Sequence, residues 1–213
     1  MTPLYIVLTG DLKSSKKIEN RSIVQENLKT ALNYINYEFS DYIATEFKII
    51  GGDGFQGMIS SPIIIFDLYF TLFEKIDHPF YLGIGIGEIS TRLSENIEEI
   101  DGKAFHFSSN ALEIAKRKKR WIVIESRLVY NDLFESVLNL SFEIMWDWTK
   151  RRKEIIIFYR KNQESSTAIE EASIKFKVKT RTIYHTLESG KYSLLKYAEN
   201  TFKKAINEDW SKL

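Results

Sequence analysis

Hydrophobic and polar positions alternate along roughly the first 125 residues in a way that predicts short strands separated by amphipathic helices. An apolar run over 4–9 ends at Gly10-Asp11 and predicts a buried strand. Apolar residues recur near helical spacing over 21–39, which predicts a helix with one buried face. Segments 47–50 and 55–60 flank a glycine-rich turn and predict a β-hairpin.

A second set of elements follows the hairpin. Pro62 begins a predicted helix that runs to about residue 76, and helix 104–119 and strand 121–125 come later. Between them, 80–89 alternates strictly, so Gly83, Gly85 and Gly87 share one strand face. Glycines there indicate close approach, either by a packed helix or by a ligand lying on the sheet.

The order of these elements predicts an α+β fold. We expect a largely antiparallel sheet with helices on one face, which would leave the other face available for a ligand. Residues 127–161 are predicted to be mostly helical, with a polar break near Asn139.

The pattern changes again at Ser165, where two short helices are predicted. Ser166 or Thr167 with Glu170 forms a candidate capping box, and Lys177-Val178 makes a tight connection to a helix over 180–189. This is helix-turn-helix spacing, although the turn has Lys177 where glycine is usual. A last helix, over 193–210, would complete a three-helix core or form the surface of a homodimer.

The second short helix would present polar side chains to double-stranded DNA. Its N-terminal residues would enter the major groove, with Arg181 reading guanine and nearby lysines meeting phosphates. The candidate DNA-binding residues are Lys175, Lys177, Lys179, Thr180, Arg181, Tyr184 and His185. The alternative is a helical hairpin that packs on a partner or on the first domain.

Charge supports two domains, 1–145 and 146–213. Of the 213 residues, the first segment carries a net charge of −5 and the second +6, so the basic segment suits a polyanion. Cysteine is absent, which excludes disulfides, thiol catalysis and cysteine-bound metals. No signal peptide or apolar run of membrane-spanning length is present, so we expect a cytoplasmic protein with no membrane partner.

Two aspartates carry the candidate chemistry of the first domain. Asp11 follows the first strand and Asp53 lies at the hairpin tip. If the first strand pairs beside the hairpin, both carboxylates project from one edge of the sheet. Two nearby carboxylates repel each other and suit a divalent cation such as Mg²⁺ or Mn²⁺ that also binds substrate phosphates. Alternatively, each aspartate only stabilises a turn. The loop after Asp11 either binds phosphate or is simply solvated; its residues are Lys13, Ser14, Ser15, Lys16 and Lys17.

These motifs together resemble the SatD family of bacterial proteins. The resemblance rests on Gly10-Asp11, GGDGFQG at 51–57, GIGIGEIST at 83–91 and DGKAF at 101–105, and it extends over nearly the whole chain. The family also carries a helix-turn-helix-like region.

The same order is similar, more distantly, to class III nucleotidyl cyclases and to GGDEF domains. That likeness implies a ferredoxin-like palm followed by a small all-α domain, with Asp11 and Asp53 as metal ligands. It implies a nucleotide or phosphate site formed by Leu12, Lys13, Ser14, Ser15, Gly52, Gln56, Glu88, Lys103, His106 and Asn110. However, Gly54 replaces the acid of GGDEF proteins, and His106 and Asn110 occupy the positions of the cyclase Asn and Arg.

We therefore expect a regulator or sensor that binds a metal with a nucleotide or phosphate ligand in the palm and binds DNA through the C-terminal region. The alternatives are a nucleotide-processing enzyme, such as a cyclase with a substitute cation, and a protein–protein adaptor with a degenerate site.

Overall fold

The computed structural model describes residues 3–15, 19–94 and 96–212. These residues form two compact units. The chain up to Asn139, together with the part from Phe202 onward, makes the first unit, and Leu140–Thr201 makes the second. The end of the chain therefore belongs with the first unit. The division at residue 145 stays a prediction about separately folding domains.

A five-stranded sheet organises the first unit. Its strands are β1 (Tyr5–Leu12), β2 (Ile43–Ile50), β3 (Gly54–Ile59), β4 (Phe80–Gly87) and β5 (Ile122–Glu125), in the order β2-β3-β1-β4-β5. The pairs among the first four strands are antiparallel, whereas β5 runs parallel to β4. The first four strands and their two helices have the ferredoxin-like order, so the predicted α+β fold is confirmed.

Helices α1 (Arg21–Glu38) and α2 (Ile65–Ile76) lie beside each other, and α2 packs on one face of the sheet. The Tyr69 ring of α2 lies 4.8 Å from the Phe80 ring of β4. The side chain of Asn36 in α1 both donates to and accepts from the backbone of Phe47, which fixes α1 against β2. Pro62 begins a 3₁₀ turn rather than the α-helix itself, which starts at Ile65.

Helix α3 (Lys103–Lys118) lies on the opposite face, directly over the glycines of β4. A methyl group added at Gly83 or Gly85 would overlap the backbone of α3 near Ala104 and Ser108. The absence of Cβ atoms therefore lets helix and strand backbones touch. Of the two interpretations of the glycines, the packed helix is correct. The expectation that helices cover only one face is wrong.

The N-terminal end of β1 is also covered on this face. The 3₁₀ turn Ile97–Glu99 and the residue after it contribute Ile97 and Ile100 to a cluster with Val7 and Met58. The exposed carboxyl of Glu99 accepts hydrogen bonds from Ser94 and Asn96, and these bonds lower its pKa. The apolar cluster around Val7 and Met58 therefore covers the end of the sheet that is opposite Asp11.

Helix α4 (Asn131–Trp146) begins in the first unit and completes the edge of the sheet at β5. Asn139 accepts a hydrogen bond from the backbone N–H of Ile122 and donates to its carbonyl, and Glu135 accepts from the N–H of Ile124. The predicted helix break near Asn139 is therefore wrong, because this polar residue binds the strand edge. The interruption comes later, where Thr149 caps α5 (Lys150–Lys161).

The second unit contains α5, α6 (Ser166–Lys175) and α7 (Thr180–Ser189), together with the first half of α8 (Tyr192–Trp210). Its buried ion pair joins Arg160 to Glu199, which is only 1% exposed, and the indole of Trp148 donates to the Gly190 carbonyl at 2.9 Å. Burial raises the pKa of the neighbouring Tyr192 hydroxyl. Within the described ranges, no helix combines the length and apolar character needed to cross a bilayer.

The contact between β4 and α3 predicts a stability difference between two glycines of the same strand. We expect Gly85→Ala to lower the free energy of unfolding by about 1–3 kcal/mol, because the methyl group meets helix backbone that cannot rotate away. Gly87→Ala should cost less, since its methyl would meet Ala104 N and Lys103 Cβ at 3.0 and 3.1 Å. Urea unfolding monitored by circular dichroism measures both; equal midpoints for the two variants and the parent would contradict the packing.

Candidate functional site

Asp11 and Asp53 lie at the same end of the sheet, where β1 finishes and the β2–β3 hairpin turns. We call this end of the strands the Asp11 edge. Asp11 is opposite Gly54 of β3 on one side and Tyr81 of β4 on the other. The carbonyl of Asp53 accepts a hydrogen bond from the N–H of Leu12 at 3.3 Å, so the hairpin tip is joined to the end of β1. The Asp11 side chain is 26% exposed and Asp53 is half-buried, which leaves both within reach of solvent.

A lysine from α3 contacts Asp11. The Lys116 ammonium lies 3.1 Å from Oδ2 of Asp11 and 3.6 Å from a carboxylate oxygen of Glu113. Residues 116–120 are all basic and lie at the C-terminal end of the helix. From the sequence they either interact favourably with the helix dipole or form a patch for phosphate or nucleic acid. The contact with Asp11 arises only because α3 crosses the glycine face toward β1, and no local pattern indicates it.

A chain of hydrogen bonds fixes the side chains next to Asp11 on the same face. The Gln56 amide donates to the Thr9 hydroxyl at 2.8 Å, that hydroxyl lies 2.9 Å from Ser108 Oγ, and Ser108 donates to the Phe105 carbonyl. Thr9 and Ser108 are buried, whereas Gln56 is half-buried. Buried hydroxyls with complete hydrogen bonding hold their neighbours in one orientation. Gln56 is therefore a fixed polar group on the strand next to β1, opposite Thr9 and two residues along from the level of Asp11.

In the loop after Asp11, the lysine predicted to bind phosphate instead contacts two aromatic rings. The Lys13 ammonium lies 3.4 Å from the Trp121 ring centroid and 4.5 Å from that of Tyr81, a cation–π arrangement. Leu12 is buried, whereas Ser14 is exposed with a left-handed φ of 52° and Ser15 is half-buried. Lys16 and Lys17, also considered for this loop, lie outside the described residues.

Side chains near the start of α1 contact the hairpin tip. The Gln25 amide donates to the Gly52 carbonyl at 2.5 Å, and the Arg21 guanidinium would lie 3.7 Å from a methyl group added at Gly52. Gly52 has a φ of +91°, which favours glycine at this position. Arg21 is thus a cation beside the hairpin that sequence reasoning missed. The proximity of the start of α1 to the hairpin depends on tertiary packing, which no local sequence pattern gives.

Other predicted nucleotide-binding residues lie away from the aspartates. Glu88 follows the far end of β4, where Lys103 lies 3.9 Å from its carboxylate and His106 lies 3.5 Å from Asp101. The strand separates this end from Asp11 by about 20 Å at ~3.3 Å per residue. The Asn110 amide donates to Glu125 of β5 at 2.6 Å. The structure therefore does not bring Glu88, Lys103, His106 and Asn110 together with Asp11.

The donor set at Asp11 and Asp53 suits a cation that a ligand helps to bind. Among the described ranges, no group of three or more His, Cys, Asp or Glu side chains could enclose a metal ion. Mg²⁺ commonly uses only one or two protein carboxylates and takes its remaining ligands from water and substrate phosphates. Asp11 and Asp53 fit that requirement, provided that the Lys116 ammonium gives up its place beside Asp11.

The second unit contains the predicted pair of short helices. Ile155, Ile169, Ala172 and Ile183 form the core shared by α5, α6 and α7. Ser165 caps α6 by accepting from the N–H of Ala168, so the predicted capping box at Ser166 or Thr167 with Glu170 is wrong. The helix boundary at Thr180–Ser189 agrees with the prediction.

The turn between α6 and α7 holds a lysine in the conformation that glycine usually adopts. Lys177 has a φ of 53°, and the N–H of Val178 bonds to the Ser173 carbonyl at 3.0 Å. The Arg151 guanidinium donates to the Phe176 carbonyl and lies 4.7 Å from the Phe176 ring. Val178 packs against the core, so the turn closes the helix pair without glycine.

Helix α7 buries only Ile183 and leaves its N-terminal half exposed. The candidate DNA-binding residues Lys175, Lys177, Lys179, Thr180, Arg181, Tyr184 and His185 are all exposed in the second unit. The Lys175 ammonium also lies 4.5 Å from the Phe158 ring. These side chains form a polar, mainly basic surface that we call the α7 face.

The hydroxyl of Thr9 predicts a test of the hydrogen-bond chain. Thr9→Val should lower the free energy of unfolding by about 1–3 kcal/mol, because Gln56 and Ser108 each lose a partner in a buried setting. Thr9→Ser keeps the hydroxyl and should retain most of the stability. Thermal and urea unfolding compare the three proteins, and a valine variant as stable as the serine variant would refute this role.

Comparison with known proteins finds a family match and weak likeness to solved structures. Residues 5–190 match the family described as the SatD family. Two solved structures show weaker likeness. A bacterial light-regulated adenylyl cyclase has 13% identity and a TM-score of 0.39, covering 58% of this chain and 76% of that one. The guanylyl cyclase Cya2 has 16% identity and a TM-score of 0.31, covering 54% and 73%. No curated protein matches at a significant level.

Proposed function

This chain belongs to the SatD family, and we propose that it is a regulator that binds double-stranded DNA through the α7 face and a phosphate-bearing ligand at the Asp11 edge. The observation that carries the proposal is the exposed N-terminal half of α7 beside a closed helix-turn-helix core. A helix presented in this way can enter the major groove, while the preceding turn meets the phosphate backbone.

Two kinds of DNA contact follow from the residue types on the α7 face. Lys177 and Lys179 lie at and just after the turn, where ammonium groups suit phosphate oxygens. Arg181 lies in the first turn of α7, and its guanidinium has the geometry for the two acceptors of guanine. Because helix-turn-helix proteins commonly bind paired half-sites, we expect a homodimer on a symmetric operator.

The α7 face predicts a salt-dependent loss of DNA affinity in a single variant. Lys179→Ala should weaken binding to duplexes of every sequence and reduce the slope of log affinity against log salt by about one ion. Fluorescence anisotropy with a random-sequence duplex at several salt concentrations measures both quantities.

Lys204→Ala is the matched control, since it removes an exposed lysine from the first unit. This variant should bind as the parent does. The DNA proposal fails if the parent shows no salt-dependent binding, or if both lysine variants lose affinity equally.

At the other site, we propose that Asp11 and Asp53 hold Mg²⁺ or Mn²⁺ together with the phosphates of a nucleotide or related ligand. The adjacent cations Lys116 and Arg21 support this assignment, because polyphosphates carry more charge than one divalent ion neutralises. The fixed Gln56 amide offers both a donor and an acceptor to a ligand. When bound, the metal would neutralise phosphate charge at this edge.

Removing either carboxylate predicts loss of metal-dependent binding. Asp11→Asn and Asp53→Asn should each weaken Mn²⁺-dependent binding of nucleoside triphosphates by about tenfold or more, since each replaces a charged oxygen ligand with a neutral one. Isothermal titration calorimetry with ATP and GTP measures the effect. Asp41→Asn changes an exposed aspartate and should leave binding unchanged; equal heats for all three variants would refute the site.

A nucleotide-processing enzyme is the second candidate, favoured by the pairing of the two aspartates at one edge. His106 and Asn110 lie away from that edge, so a cyclase reaction would need Lys116 or Arg21 to stabilise the transition state. Incubation with nucleoside triphosphates and Mn²⁺, followed by mass spectrometry, separates binding from turnover. An adaptor would neither bind nucleotides nor show a salt-dependent gel shift.

A further inference from the structure

We propose that the Lys116 ammonium competes with the divalent ion for the carboxylate of Asp11, so that metal binding breaks the Lys116–Asp11 contact between α3 and β1. This inference rests on the proposed metal-binding function of Asp11 and Asp53. It adds that the carboxylate of Asp11 binds one cation at a time, either the Lys116 ammonium or the metal ion.

The geometry places the ammonium where it blocks the carboxylate. Lys116 Nζ lies 3.1 Å from Asp11 Oδ2, and the two side chains are only 34% and 26% exposed. Asp11 lies between Gly54 and Tyr81 in the sheet, so backbone borders it on both sides. A divalent ion at the usual ~2.1 Å from the same oxygen would lie within a few ångströms of the ammonium.

Two features let the Lys116 ammonium move away from the Asp11 carboxylate without unfolding of the helix. Glu113, one turn earlier on α3, already lies 3.6 Å from the ammonium and offers a second anionic partner. Lys116 is also in the final turn of α3, which ends at Lys119 with a left-handed φ of 55°. Helix ends open more readily than helix centres.

The chemistry of the two cations explains why they exclude each other. A divalent ion and an ammonium at one carboxylate repel each other strongly where solvent is partly excluded. Once released, the ammonium is a mobile point charge on a flexible stem, the kind of cation that pairs with a ligand phosphate. Metal and phosphate ligand would therefore bind together more readily than metal alone.

The test measures Mn²⁺ alone, by electron paramagnetic resonance of the free ion, against four proteins: the parent, Lys116→Met, Lys116→Arg and Asp11→Asn. Lys116→Met removes the competing charge at similar volume and should bind Mn²⁺ about tenfold more tightly than the parent. Lys116→Arg keeps the charge and should stay within about twofold of the parent. Asp11→Asn should lose Mn²⁺ binding, because it removes the charged oxygen ligand itself.

The outcomes separate this inference from the proposed function. If Asp11→Asn loses Mn²⁺ binding but Lys116→Met gains none, the competition is overturned and the metal site stands. If Asp11→Asn binds Mn²⁺ as the parent does, both are overturned. If no protein binds Mn²⁺ alone, the competition is overturned, whereas the calorimetry with nucleoside triphosphates still decides the proposed site. Lys116→Gln repeats the charge removal with a polar side chain, so a folding defect specific to Lys116→Met cannot decide the result.

Discussion

Direct backbone contact between β4 and α3 is the constraint on which the Asp11 edge depends. Gly83 and Gly85 carry no side chain, and the helix backbone fills the space that their Cβ atoms would take. At this distance, Ser108 reaches the hydroxyl of Thr9 and Lys116 reaches the carboxylate of Asp11. Larger residues on that strand face would lift the helix and separate both pairs.

The sheet therefore has two chemically different ends. Ile97, Ile100 and the start of α3 cover the end that contains Val7 and Met58, with an apolar cluster. The opposite end combines partly exposed acids with cations from three separate elements: Lys13 after β1, Arg21 at the start of α1 and Lys116 at the end of α3. Such a mixture of charges suits an ionic ligand better than an apolar one.

Local patterns predicted the sheet elements well because strand alternation and helical spacing are properties of neighbouring residues. The hairpin, the α+β class and α7 all follow from such patterns, whereas the ferredoxin-like order was implied only by the resemblance to nucleotidyl cyclases. They could not place α3, since a glycine strand face fits a packed helix and a bound ligand equally. They also misplaced the break in the helical region, because Asn139 binds the edge of β5, a contact set by tertiary structure.

The candidate site was predictable to the same extent. The adjacency of Asp11 and Asp53 depends on the pairing of β1 with β3, which the hairpin pattern allows but does not establish. The separation of Glu88, Lys103 and His106 from that edge follows from strand direction, which residue types alone do not give. Lys116 lies near Asp11, and Arg21 near the hairpin tip, only because of how α3 and α1 pack. No sequence motif could have identified either residue.

Anomalous diffraction from crystals grown with Mn²⁺ and a nonhydrolysable nucleoside triphosphate would test the central claim most directly. The account predicts a manganese peak bound by Asp11 and Asp53 and in contact with phosphate oxygens, with the Lys116 ammonium moved away from Asp11. A bound nucleotide elsewhere, or manganese at Asp11 with Lys116 still in contact with that carboxylate, would contradict it.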